Sequence, residues 1–147
     1  MKKIYCAVVS WSITSLLIST SSLAETGGEK NISGFQTPSG NIQCELVGEE
    51  QENLRCEIAS LLNPIPPQPY QGFCEFDWGG GFLLAQTGKP NILCISDTIR
   101  EPKKYVLPYG ETWTSGEFKC ISRKVGLTCT NSTGNGFFLS REKWRVL

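Results

Sequence analysis

The chain contains no histidine among its 147 residues. That absence removes the usual general base near neutral pH, the Ser-His-Asp and Cys-His devices, and the common catalytic zinc ligand sets. No C-x-x-C pair occurs among the seven cysteines, so the spacing of a zinc site is missing too. Gly79-Gly80-Gly81 lacks the Lys-Ser/Thr that completes a phosphate-binding loop. No cofactor is expected. A net charge of either sign is also lacking, with 14 basic against 14 acidic residues. Nucleic acids and anionic membranes select basic surfaces, so neither is expected as a partner.

Long apolar runs are confined to the N-terminus. Lys2-Lys3, an apolar stretch from Ile4 to about Ile18, and Ser22-Leu23-Ala24 read as a signal peptide cleaved after Ala24. Ser10, Ser12 and Thr14 interrupt the stretch, which falls short of the roughly 20 apolar residues that span a bilayer. No stable membrane insertion is expected after cleavage. Loss of Lys2 and Lys3 leaves 12 basic against 14 acidic residues, a mature charge of −2. Cys6 leaves as well, so six cysteines remain: Cys44, Cys56, Cys74, Cys94, Cys120 and Cys129. An exported chain meets oxidising conditions, which favours disulfides over a metal site. The expected organisation is a signal over residues 1–24, a flexible lead over 25–34 and one disulfide-rich domain over 35–147, secreted or periplasmic.

Five of the six cysteines follow a large apolar residue by two positions: Ile42 and Cys44, Leu54 and Cys56, Ile92 and Cys94, Phe118 and Cys120, Leu127 and Cys129. Side chains in a strand repeat every two residues, so each pair shares one face, the expected core face of an all-β domain built from antiparallel hairpins. Thr37-Pro38-Ser39-Gly40 suits a type I turn. A hairpin that sets Cys44 opposite Cys56 also sets Ile42 opposite Ile58, Leu46 opposite Leu54, and Glu45 opposite Arg55 as an ion pair. Ala59 to Leu62 suits a short turn of helix, and Asn63 to Pro69 an extended, stiff connection. Phe73 to Trp78, Phe82 to Gln86 and Asn91 to Ser96 read as three strands, separated by the three glycines and by Thr87 to Pro90. Phe118 to Ser122 and Leu127 to Thr130 form a last hairpin, and Phe137 to Leu139 a terminal strand.

Six cysteines allow fifteen connectivities. Hairpin geometry favours Cys44 with Cys56 and Cys120 with Cys129, leaving Cys74 with Cys94. A simple meander separates that last pair by an intervening strand, roughly 9 to 10 Å, beyond disulfide reach. Either the middle segment bulges away or the chain does not meander there.

Carboxylates survive the exclusions. Glu75, Asp77 and Asp97 flank Cys74 and Cys94, although surface acids are the ordinary use of such residues. Asp77, Trp78 and Asp97 are the candidate ligand-binding residues, with Gly79-Gly80-Gly81 leaving room for close approach to the backbone. A tryptophan beside a cysteine is equally at home in a core. Asn31-Ile32-Ser33 and Asn131-Ser132-Thr133 match the glycosylation acceptor pattern. The late basic residues, Lys103, Lys104, Lys119, Arg123, Lys124, Arg141, Lys143 and Arg145, read as a solvated surface.

Taken in order, Phe35-Gln36-Thr37-Pro38-Ser39-Gly40-Asn41-Ile42-Gln43-Cys44, Cys74-Glu75-Phe76-Asp77-Trp78-Gly79, Leu107-Pro108-Tyr109-Gly110 and Gly136-Phe137-Phe138-Leu139-Ser140-Arg141 carry a resemblance. The chain resembles a family of small exported bacterial proteins, actinobacterial and cyanobacterial, catalogued as a domain of unknown function. That resemblance implies an exported, disulfide-bonded domain and no activity. The expected function is a non-catalytic binding or structural module of the envelope or extracellular space, with an envelope or extracellular protein or glycan as partner. The alternatives are a small carboxylate-dependent glycan hydrolase and a secreted enzyme inhibitor, for which Pro64 to Tyr70 is the candidate inhibitory loop.

Overall fold

The computed structural model describes residues 32–69 and 72–147. The expected signal and most of the lead lie outside the described residues. Among the described residues the strands are β1 (Gly34–Gln36), β2 (Ile42–Val47), β3 (Asn53–Ile58), β4 (Asp77–Ala85), β5 (Asn91–Ile95), β6 (Thr112–Ser115), β7 (Phe118–Arg123), β8 (Gly126–Thr130), β9 (Gly136–Leu139) and β10 (Trp144–Val146). They form two antiparallel sheets, β1 to β5 and β6 to β10, and in each sheet every strand pairs with its neighbours in sequence. One apolar core lies between the sheets. Three disulfides staple this small all-β domain: Cys44–Cys56, Cys74–Cys94 and Cys120–Cys129.

The β2–β3 register is the expected one, with Cys44 opposite Cys56, Ile42 opposite Ile58, Leu46 opposite Leu54 and Glu45 opposite Arg55. The ion pair expected between the last two does not form. Arg55 pairs instead with Glu57 at 2.6 Å, and Glu45 with Lys104. Glu57 is only 2% exposed. A carboxylate so far from water loses most by being unpaired, and the guanidinium turns to it.

The two sheets repeat one plan. A row of neighbours runs Phe35, Cys44, Cys56, Phe82, Ile92 across the first. The matching row in the second runs Trp113, Cys120, Cys129, Phe137, Val146. Each row has its disulfide in the middle, with the bonded Cα atoms 4.1 Å apart in both. The rows face each other through the core: Phe35 and Trp113 have ring centroids 5.1 Å apart, and Phe82 stacks on Phe137 at 4.8 Å. The sulfurs of Cys44, Cys56 and Cys129 consequently lie within 4.8 Å of one another. All three are bonded in disulfides and offer no thiolate to a metal. Glycine precedes the phenylalanine in both rows, because a Cβ on Gly81 would overlap the Cys56 carbonyl oxygen and one on Gly136 that of Cys129.

Several boundaries depart from expectation. Gly79-Gly80-Gly81 does not divide one strand from the next; β4 runs through it, with a register shift between Trp78 and Phe82. Without side chains there, Ile95 and Cys56 close against the strand. β4 therefore pairs directly with β5, no strand intervenes, and Cys74 reaches Cys94 at a Cα separation of 5.7 Å. Cys94 is exposed and Leu93 buried, so the face shared by the other four apolar-x-cysteine pairs stops short of Cys94. Ala59 to Leu62 holds a β-turn rather than a helical one, with the Leu61 N–H donating to the Ile58 carbonyl at 3.2 Å. β6 and β10, where no strand is expected, are short edge strands of mixed polarity, and Phe137–Leu139 is followed by one of them. The proline segment connects β3 to β4 inside the domain. Two indoles hold it: Trp78 Nε1 donates to the Pro66 carbonyl at 2.8 Å and Trp144 Nε1 to that of Pro64 at 2.7 Å.

Candidate functional site

Three turns meet around an open groove of about 770 Å³. The first is the β1–β2 turn, closed by the Gly40 N–H donating to the Thr37 carbonyl at 2.8 Å. Proline at its second position and Gly40 at φ 67° suit that turn. The second is the tight β7–β8 turn, where Arg123 and Gly126 pair and Lys124-Val125 project. The third joins β9 to β10, with the Lys143 N–H donating to Ser140 Oγ at 3.1 Å and the Ser140 N–H to the Lys143 carbonyl at 3.0 Å.

Charge sets the character of this groove. Arg123, Lys124, Arg141, Lys143 and Arg145 line it, against one acid, Glu142. Ion pairs among the described residues are Arg55–Glu57 and Glu45–Lys104, so none of the five cations is engaged by a carboxylate there. Arg145 is opposite Phe138 on β9, and its guanidinium lies 5.6 Å from that ring's centroid. Stacking on an aromatic face restrains the side chain while leaving its N–H edge available. Tyr109, 39% exposed, adds an aromatic wall.

Such a site attracts negative charge. Hydrolysis of a glycan needs two carboxylates, and Glu142 is alone here.

Asp77, Trp78 and Asp97 lie elsewhere. Asp77 opposes Ile95 and Trp78 opposes Cys94 at the start of β4, while Asp97 follows β5 and its carbonyl accepts from Arg55. Both acids are exposed and neither lines the groove. The space over the three glycines is filled by the chain itself: Pro66 and Ile65 face Gly79, the Ile95 side chain faces Gly80, and the Cys56 carbonyl faces Gly81. Asn131 of the second glycosylation pattern is 6% exposed. Its amide donates to the carbonyls of Ala85 at 3.0 Å and Gly88 at 2.8 Å, tying the second sheet to the β4–β5 turn.

The sequence does contain a signal for the groove. Its five cations sit in or beside two turns of the second sheet, and adjacent β-hairpins bring such turns together. Read without the pairing of β9 with β8, they look like scattered surface charge.

No curated protein and no solved structure matches the chain. A family model described as a family of unknown function, DUF6636, does match residues 12–147, well over half the sequence, and the chain belongs to that family.

Proposed function

We propose that the protein is a non-catalytic binding module that works outside the cytoplasm and takes an anionic partner in the basic groove. One observation carries this reading: five cations line a single groove without a carboxylate partner among the described residues. Like charges held together repel, and an arrangement of this kind is relieved by an anionic ligand. Three disulfides support the location, since such bonds persist in oxidising compartments.

The test is binding of the oxidised domain to immobilised polyanions, read by interferometry across a salt series. Retention falls with salt, and the Arg123→Glu/Lys143→Glu variant loses it. Lys103→Glu and Lys119→Glu, which change exposed cations outside the groove, leave it unchanged. Equal weakening by both sets would show a diffuse charge effect and end the proposal.

A further inference from the structure

The partner's chemistry follows from which groups around the groove are free, and the inference rests on the reading just given. Compact anions are usually held by convergent backbone N–H groups, and in the β1–β2 turn and at Lys143 these groups are engaged. The Gly40 N–H donates to the Thr37 carbonyl, the Asn41 N–H to Ser39 Oγ, the Ile42 N–H to Thr37 Oγ1 and the Lys143 N–H to Ser140 Oγ. The carbonyls of the β1–β2 turn are taken as well, since Arg100 donates to that of Gly40 at 2.6 Å and that of Asn41 at 3.2 Å. A peptide recognised through its main chain needs unpaired backbone of that kind.

The charged side chains of the groove have no carboxylate partner among the described residues. Five cations are spread over two turns and one strand, and among the described residues the Asn41 amide and the Tyr109 hydroxyl make no hydrogen bond. A volume of about 770 Å³ suits an organic ligand rather than one ion, since ligand sites run roughly 300–1,000 Å³. Dispersed long cations match charges repeated along a chain, and the amide and phenol match hydroxyl groups. The exposed Tyr109 ring matches the apolar face of a sugar. We infer that the groove binds an anionic glycan, a sugar chain bearing repeated carboxylate or phosphate groups, with Tyr109 packing on a sugar ring between the cations.

The experiment titrates the oxidised full domain with galacturonate and its oligomers of increasing length, polygalacturonate, a phosphomannan, neutral dextran, inorganic phosphate and polyglutamate. Affinity is expected to rise with oligomer length, and the galacturonate and phosphomannan arms show which anion is preferred. Arg123→Glu/Lys143→Glu weakens glycan binding at least about tenfold, equivalent to about 1.4 kcal/mol. Tyr109→Ala, which leaves every charge in place, weakens glycan binding severalfold and leaves any residual polyglutamate binding unchanged. Galacturonate or phosphate bound as tightly as the polymers would overturn the chain-ligand inference. Polyglutamate bound as tightly as the glycans, with loss in the double variant and indifference to Tyr109→Ala, would overturn the glycan while sparing the anionic groove. Dextran bound like the charged polymers, or no groove-dependent binding at all, would overturn both. Circular dichroism of each variant separates loss of binding from loss of fold.

Discussion

Phe82 and Phe137 stack at 4.8 Å, and each is the strand neighbour of a disulfide cysteine, Phe82 of Cys56 and Phe137 of Cys129. Both rings are fully buried, and both follow a glycine that lets the strand press onto the carbonyl beside it. The two sheets are locked through this contact. Either Phe→Ala change should cost about 3–5 kcal/mol, the range for removing a large aromatic from a core. The double variant should cost less than the sum, because the second truncation enlarges a cavity already present. Urea unfolding of the oxidised proteins measures all three, and strict additivity would show that the rings do not depend on each other.

The disulfides should open in a definite order. Cys44, Cys56, Cys120 and Cys129 are 0% exposed, whereas Cys94 faces solvent. Exchange requires attack by an external thiolate on an accessible sulfur. Limiting reductant followed by alkylation should therefore label Cys74 and Cys94 first. Full reduction should lower Tm sharply, since losing a native disulfide from a small secreted domain costs roughly 2–5 kcal/mol. EDTA should leave Tm unchanged. Early labelling of Cys44 or Cys120 would show that the paired rows are not sealed.

Alternation and turn chemistry made much of this fold readable. Ile42-x-Cys44 and Leu54-x-Cys56 specify one register, because a slip of one residue would send every apolar side chain to the wrong face. The β7–β8 hairpin is equally plain. Reading failed where a residue's role depends on a distant neighbour. Gly79-Gly80-Gly81 looks like a break until Ile95 and Cys56 are seen filling the missing side-chain space. Glu45 and Arg55 oppose each other as expected, yet their charges are claimed by Lys104 and Glu57, one of them far along the chain. The basic groove was hidden because its cations lie on two separate turns of the second sheet, which the pairing of β9 with β8 brings side by side.

Glu57 should prove essential to the segment that covers the outer face of the first sheet. Its carboxylate accepts from Thr98 Oγ1 at 2.6 Å and from the Ile99 N–H at 3.1 Å, and pairs with Arg55. Gln43 Oε1 accepts the Glu101 N–H nearby at 2.8 Å. Glu57→Ala leaves Arg55 without its buried counter-charge, a loss of about 3–5 kcal/mol for such pairs. Hydrogen exchange should show the Ile99 amide unprotected in this variant while the β7–β8 amides stay slow. Gln43→Ala, which removes no charge, should free the Glu101 amide at smaller cost. An unchanged Ile99 exchange rate in Glu57→Ala would mean the segment is held by other contacts.

The three tryptophans of the described residues give a separate check on where ligand binds. Each indole N–H donates to a carbonyl: Trp113 to Ile32 at 3.0 Å, Trp78 to Pro66 at 2.8 Å and Trp144 to Pro64 at 2.7 Å. Trp113 is 6% exposed and the other two are half-buried. Acrylamide should therefore quench Trp113 least in single-tryptophan variants. Trp78→Phe keeps a ring beside the proline segment but deletes its donor, so it should fold and lose about 1 kcal/mol, the net worth of one hydrogen bond. Because Trp78 does not line the groove, polyanion affinity should be unchanged in that variant. If Trp78→Phe folds normally yet loses polyanion binding, the contact face belongs beside Asp77 and Asp97, and the groove is surface charge alone.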